Sequence, residues 1–217
     1  MTGGQPTTKA EPEQLLRLLR LFLTSRRFPT AMAAILAGAI ALRVALHWPW
    51  NAYGALQLPL IAEAACAVSI AVTTASPFGD PERTAGRWLP YLRLLALLLL
   101  TTVAVGALAG AGIGVRLGGG YLEMVRNLLG LTGIGLLCAA AIGGALAWAG
   151  PTTYLIIGVY GLYTQWHGPA MTTPWIWPIH PAYDVGAAIC AGITFVVGLS
   201  LVAVRGARDP GGGPGTE

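Results

Sequence analysis

Apolar stretches of about twenty residues recur along this 217-residue chain, and they limit the structures that it can form. A helix that crosses a bilayer needs about twenty consecutive, largely apolar residues. Only 10% of the residues are charged, whereas a soluble domain carries about a quarter. The sequence therefore predicts an all-α, polytopic membrane protein whose core consists of helix–helix contacts and lipid.

Six spans are predicted within one transmembrane domain, residues 28–205. The fifth span is short for a complete crossing, so whether it spans fully stays open. The segment Gly168–Tyr183 holds four prolines and cannot form a regular helix, so it is an outer loop or a re-entrant piece protected by protein. The approximate bounds of the spans are Phe28–Trp48, Leu56–Ala75, Leu92–Val115, Asn127–Ala149, Thr152–Trp166 and Asp184–Val204.

Three further segments flank this domain. Residues 1–12 and 206–217 are polar or rich in Pro and Gly, and both tails are predicted to be disordered. Residues 13–27 are predicted to form an interfacial amphipathic helix, with a cytoplasmic extension of the first span as the alternative. Its apolar and basic faces are formed by Leu15, Leu18, Leu19 and Phe22, and by Arg17, Arg20, Thr24 and Arg27.

Basic residues are distributed unevenly across the predicted topology. Ten of the thirteen lie on the side of the N-terminus, and Arg43, Arg116 and Arg126 lie on the outer side or at the outer membrane edge. By the positive-inside rule, both termini are cytoplasmic in a multi-pass protein of the cell (plasma) membrane. The net charge of +4 does not indicate nucleic-acid binding, because the arginines flank apolar segments rather than forming one basic face.

Two charged residues fall inside predicted spans. Arg43 lies shortly before the outer end of the first span, and Glu63 lies shortly after the outer start of the second. Antiparallel neighbouring helices would bring them to the same depth, where an unpaired charge is costly. The sequence therefore predicts an intramembrane polar pair. Three interpretations are open: a structural ion pair, outward snorkelling of Arg43, or a polar lining for a substrate path.

Three glycines on the third span recur at intervals of four residues: Gly106, Gly110 and Gly114. This double GxxxG pattern presents a ridge of small residues that allows close helix approach. The pattern favours packing within the bundle, with a subunit interface as the alternative.

Patterns for catalysis and for cofactor binding are missing from the sequence. The histidines fall at or beyond span ends, there is no HExxH or GxSxG pattern, and the cysteines have no CxxC spacing. We therefore predict no catalytic residue, no metal site and no cofactor. Lys9 is the only lysine, so the chain cannot form a P-loop. If transport is driven by ATP, the ATPase is another polypeptide.

A dense charge cluster, Ser76–Arg93, joins the second and third spans. Asp80 before Pro81 is a candidate N-cap, so a short helix is predicted over Phe78–Leu89 along the cytoplasmic face. Its exposed charges would meet a partner protein, or they are the positive-inside signal alone.

The order of these parts resembles the membrane subunit of a type-2 ABC exporter. The loop pattern Glu82-x-x-x-Gly86, followed by Leu89 and Arg93, is similar to that family's docking helix. The resemblance implies a separate cytoplasmic ABC ATPase and pairing as a homodimer, or as a heterodimer with a second permease, in the lipid bilayer. The ATPase-docking residues that it implies are Asp80, Glu82, Arg83, Gly86 and Arg87.

Two alternatives remain open. One is the substrate-binding membrane subunit of a small-molecule importer, which would lack the interfacial helix. The other is an intramembrane enzyme, or an accessory protein without transport. An enzyme would need several ionisable side chains at one depth, and in the sequence only Arg43 and Glu63 qualify.

Overall fold

A computed structural model describes residues 27–50, 52–75, 89–115, 117, 119–164 and 174–206. This part of the chain is all-helical, without a strand, as predicted. The helices are α1 Phe28–Ala45, α2 Ala52–Val72, α3 Leu89–Ala111, α4 Gly120–Ala141, α5 Ala149–Thr164 and α6 Val185–Arg205, with short 3-10 turns at Gly144–Leu146 and Trp177–Ile179.

Several predictions fall on other parts of the chain. The interfacial helix, apart from Arg27, and both tails, apart from Gly206, lie outside the described residues. So do all five residues of the proposed docking loop: Asp80, Glu82, Arg83, Gly86 and Arg87.

Five stretches in the described ranges are long and apolar enough to cross a membrane: Phe28–Ala45, Pro90–Ala111, Gly120–Ala141, Gly144–Leu162 and Val185–Arg205. Leu56–Val72 is a shorter apolar helix within α2. Length and composition therefore indicate a membrane-embedded helical protein.

The fourth helix differs most from its predicted bounds. It begins at Gly120 rather than Asn127, so the charged residues Glu123 and Arg126 are helical, and Gly120 itself has a left-handed φ of 76°. It ends at Ala141 rather than Ala149, and Gly143, with a φ of 114°, starts the 3-10 turn that leads to α5. Arg126, predicted at the outer edge, therefore lies inside the helix.

Helix α4 occupies the centre of the bundle. Of its most apolar eighteen residues, 61% are buried, against 22–33% in the other four candidate spans. It packs against α2, α5 and α6. Because α4 has protein on most sides, its polar side chains face other helices rather than lipid.

Glycines allow the close approach of α4 and α6. A Cβ built on Gly133 would lie 2.6 Å from the backbone N of Phe195, and one on Gly198 would lie 2.6 Å from the Gly133 carbonyl oxygen. Side chains at either position would collide with backbone, so the helices cross backbone to backbone, as small residues permit in membrane bundles.

The glycines of the GxxxG pattern, which were predicted to pack within the bundle, do not lie at this α4–α6 crossing. Gly106 and Gly110 are exposed on α3, and no described atom lies within 4 Å of a Cβ built on either. Gly114 lies beyond the end of α3, with a φ of 75°. The described residues therefore place the GxxxG ridge on an open face, because α3 turns other side chains, such as Leu100 and Leu108, into the core.

Candidate functional site

A cleft opens between α2 and α4 at the end of the bundle where both helices begin. Its lining residues are Leu56, Pro59, Leu60, Glu63, Leu117, Gly119, Gly120, Glu123, Met124 and Asn127. The cleft is partly open and has room for about one water molecule. At 1.5 Å per helical residue, Glu63 lies about 16 Å along α2 from Ala52.

Two side chains in this cleft are buried with unsatisfied oxygens. Glu63 is 1% exposed and Asn127 is 3% exposed. The Asn127 side chain hydrogen-bonds the Glu63 carboxylate across the α2–α4 contact. The other carboxylate oxygen of Glu63, Oε2, and the amide oxygen of Asn127, Oδ1, have no hydrogen-bond partner among the described residues. Buried polar atoms are usually paired, so this arrangement needs an explanation.

Glu123 brings a second carboxylate to the cleft from the first turn of α4. It lies one helical turn before Asn127, so both side chains are on the same face. The carboxylate folds back over Gly119, where any Cβ would collide with it. The absence of a side chain at Gly119 therefore lets Glu123 line the opening.

Arg126, which directly precedes Asn127 on α4, binds the chain segment that precedes α6. The residue is 5% exposed. Its Nη1 donates to the Pro181 carbonyl at 2.7 Å and its Nη2 donates to the His180 carbonyl at 2.9 Å. The charge is also close to Glu63, Glu123 and Asp184. Arg126 therefore joins the cleft electrostatically to the start of α6.

The same segment is packed into the bundle by aromatic residues. Trp177 is buried and stacks on Tyr154 of α5, with ring centroids 4.5 Å apart. The Tyr154 hydroxyl donates to the Trp175 carbonyl at 2.6 Å, and the Trp177 ring lies against Gly130 of α4. In the described part of this proline-rich region, residues 174–183, Ile176 and Trp177 are buried, whereas Trp175 and Tyr183 are exposed.

Asp184 begins α6 as an N-cap outside the candidate span. Its Oδ1 accepts a hydrogen bond from the Ala187 N–H at 2.8 Å, and Oδ2 lies 3.1 Å from Nδ1 of His180. The Ala187 N–H, with smaller contributions from His180, holds the pKa of Asp184 below its ordinary value.

The predicted pair of Arg43 and Glu63 is not formed, since the two side chains have different partners. Arg43 donates to the Ala111 carbonyl at 3.1 Å and also to the Ile113 carbonyl. These carbonyls lie at the end of α3, where a helix lacks its own donors. Glu63 instead faces α4 and bonds Asn127. A capping interaction therefore satisfies Arg43, which the spacing in the sequence did not indicate.

Sequence reasoning missed Glu123, Arg126 and Asn127 because it began the helix at Asn127. The available signal was their spacing: on a helix that starts at Gly120, Glu123 and Asn127 share a face.

No group of three or more His, Cys, Asp or Glu residues that could hold a metal occurs in the described ranges. The three cysteines, Cys66, Cys138 and Cys190, are free thiols.

Comparison with known proteins identifies no similar protein. The chain matches no family model, no curated protein and no solved structure. The function must therefore be argued from the site itself.

Proposed function

We propose that the protein is a membrane transport protein, the permease subunit of an ABC exporter that works with a separate cytoplasmic ATPase. The observation that carries the transport role is the cleft, where Glu63 and Asn127 are buried among apolar helices. Polar side chains at such a depth are expensive and usually belong to a substrate or ion path.

The proposed topology has six spans, with both termini in the cytoplasm of the cell. Helix α2 would supply the sixth span, since its 21 residues reach about 30 Å, the thickness of the hydrocarbon core. In this topology the cleft opens toward the outer face. A cytoplasmic reporter fused after Arg208 should be active, and signal only from an exterior-active reporter would contradict the topology.

The ATPase-docking loop would lie at the end of the bundle opposite the cleft. Two contacts support this placement. Ala75, just before the loop, lies against Gly144, and Arg93, just after it, lies against Gly206 at the end of α6. Ala75 and Arg93, the described residues on either side of positions 76–88, therefore lie near the predicted cytoplasmic face, where an ATPase would reach the loop.

A second permease, identical or different, would pair along α3. Gly106 and Gly110 are exposed, and no described atom lies near their Cβ positions. Their face is therefore open to a second helix, as the interface alternative of the GxxxG pattern requires.

The experiment that tests the ATPase partnership reverses one charge in the loop. Glu82→Arg should weaken co-purification with an ABC ATPase from native membranes, and a cysteine introduced at Arg83 should crosslink to it. Asp209→Arg, in the predicted cytoplasmic tail, is the matched control and should leave co-purification unchanged. Normal co-purification with Glu82→Arg and no crosslink from position 83 would reject the ABC proposal.

An intramembrane enzyme is the second candidate, because the structure brings Glu63, Glu123 and Arg126 together. This meets the requirement for several ionisable groups at one depth. The cleft, however, has room for about one water molecule, far less than usual substrate pockets of about 300–1,000 Å³. Transport is therefore the function that the geometry supports better.

A further inference from the structure

Among the described residues, the two unsatisfied polar atoms of the cleft lining are both hydrogen-bond acceptors, and Arg126 Nε, a buried unsatisfied donor, lies outside the lining. Glu63 Oε2 and Asn127 Oδ1 are buried oxygens without a hydrogen-bond partner in the described part of the chain. A carboxylate and an amide oxygen can be satisfied by a hydrogen-bond donor or by a cation. The occupant that this site needs therefore carries donors or positive charge.

When Glu63 and Glu123 are both ionised, the balance of charge around Glu63 is negative. The charged groups that face it are Glu123 and Arg126 of α4, and the Cys66 thiol lies near it on its own helix. Arg126 uses both terminal nitrogens on the His180 and Pro181 carbonyls. Two carboxylates against one guanidinium leave one negative charge, and a single positive charge would neutralise it.

The size and chemistry of the lining narrow the choice further. The polar side chains of the lining are two carboxylates and one amide, and oxygen ligands favour hard cations. The cleft as a whole has room for about one water-sized particle. Divalent ions generally recruit more carboxylates or retain several waters, for which this cleft offers neither the charge nor the space.

We propose that the α2–α4 cleft binds one small monovalent cation, Na⁺, on oxygens of Glu63 and Asn127, with Glu123 at its mouth. The proposal deepens the transport function above and rests on it, because a cation site inside a bundle is a means of coupling or gating transport. A protonated Glu63 would also remove the excess charge, so the experiment must separate Na⁺ from H⁺.

The test uses the purified full-length protein in detergent. Radioactive ²²Na⁺ binding is measured by equilibrium dialysis, and thermal unfolding is followed in NaCl and in choline chloride at equal ionic strength. We expect saturable binding of one Na⁺ per chain and a Tm that rises with NaCl but not with choline chloride. Glu63→Gln should weaken Na⁺ binding by about tenfold or more. Glu11→Gln, the same change in the predicted N-terminal tail, should not.

A wild-type protein whose Tm responds to pH but not to Na⁺, without saturable ²²Na⁺ binding, would overturn the proposal in favour of a proton on Glu63. This outcome needs no variant, so it is decisive even if Glu63→Gln fails to fold. Co-purification of the ATPase is scored in parallel. A wild-type protein that binds no Na⁺ but co-purifies with the ATPase would reject only the cation site. A wild-type protein that binds Na⁺ but does not co-purify with an ATPase would reject only the ABC partnership.

Discussion

Replacing Gly133 with alanine should destabilise the bundle by about 1–3 kcal/mol, the usual cost of overpacking a core. The added Cβ would lie 2.6 Å from the Phe195 N and the Thr194 carbonyl carbon. Ordinary contacts between heavy atoms are about 3.5–4.0 Å, so α4 and α6 must separate by about 1 Å. Both colliding atoms are backbone, so no side-chain rotation can relieve the contact.

The matched control is Gly110→Ala. It adds the same methyl group to an apolar helix, but at a position with no described atom within 4 Å. Both variants and the wild type are unfolded thermally in one detergent, and the free energy of unfolding is measured by titration with SDS. Gly133→Ala as stable as Gly110→Ala would refute the close crossing of α4 and α6.

A second change at the same crossing tests its geometry. A Cβ on Gly198 would lie 2.6 Å from the Gly133 carbonyl oxygen, so Gly198→Ala also forces the helices apart. Because one separation relieves both clashes, the double variant should lose less stability than the two single losses added together. Strict additivity would indicate that the two sites do not share one contact.

Three other predictions concern the charged residues. Arg126→Met should cost about 1.5–3 kcal/mol and raise hydrogen exchange over residues 175–184, since two part-buried carbonyls lose a charged donor. Unchanged exchange would contradict this role. Arg43→Met should lower the Tm, because the carbonyls at the end of α3 lose their side-chain donor. The charge swap Arg43→Glu with Glu63→Arg should not recover the Tm lost in the single variants, because the two residues have different partners. A recovery of Tm in the swap would show that they do interact. Hydrogen bonds hold the pKa of Asp184 below its ordinary 3.8. The stabilisation by the ionised Asp184 is therefore complete above pH 3.8 and is lost as the pH falls through the lowered pKa. Asp184→Asn keeps a capping side chain, and the Tm of this variant should lack this part of the acid dependence.

The class of the protein could be predicted from the sequence because it depends on local properties. A run of about twenty apolar residues is unstable in water and stable in lipid, whatever its neighbours are. The irregular region before α6 was predictable for a similar reason: each proline removes a backbone donor wherever it lies. Helix bounds set by apolar content came within a few residues of the structure in most of the spans, and failed at α4, where charged residues lie inside the helix.

The partners of the polar residues depended on how the helices are arranged. Arg43 and Glu63 lie at similar depth in sequence, but which faces meet is decided by packing, and packing turns one toward the end of α3 and the other toward α4. The GxxxG pattern likewise does not indicate which neighbouring helix its glycine face will contact. The sequence determined that this chain would be a bundle of apolar helices; only the tertiary structure decided that Glu63, Glu123 and Asn127 would share one cleft, because residues 60 positions apart meet only when the helices pack.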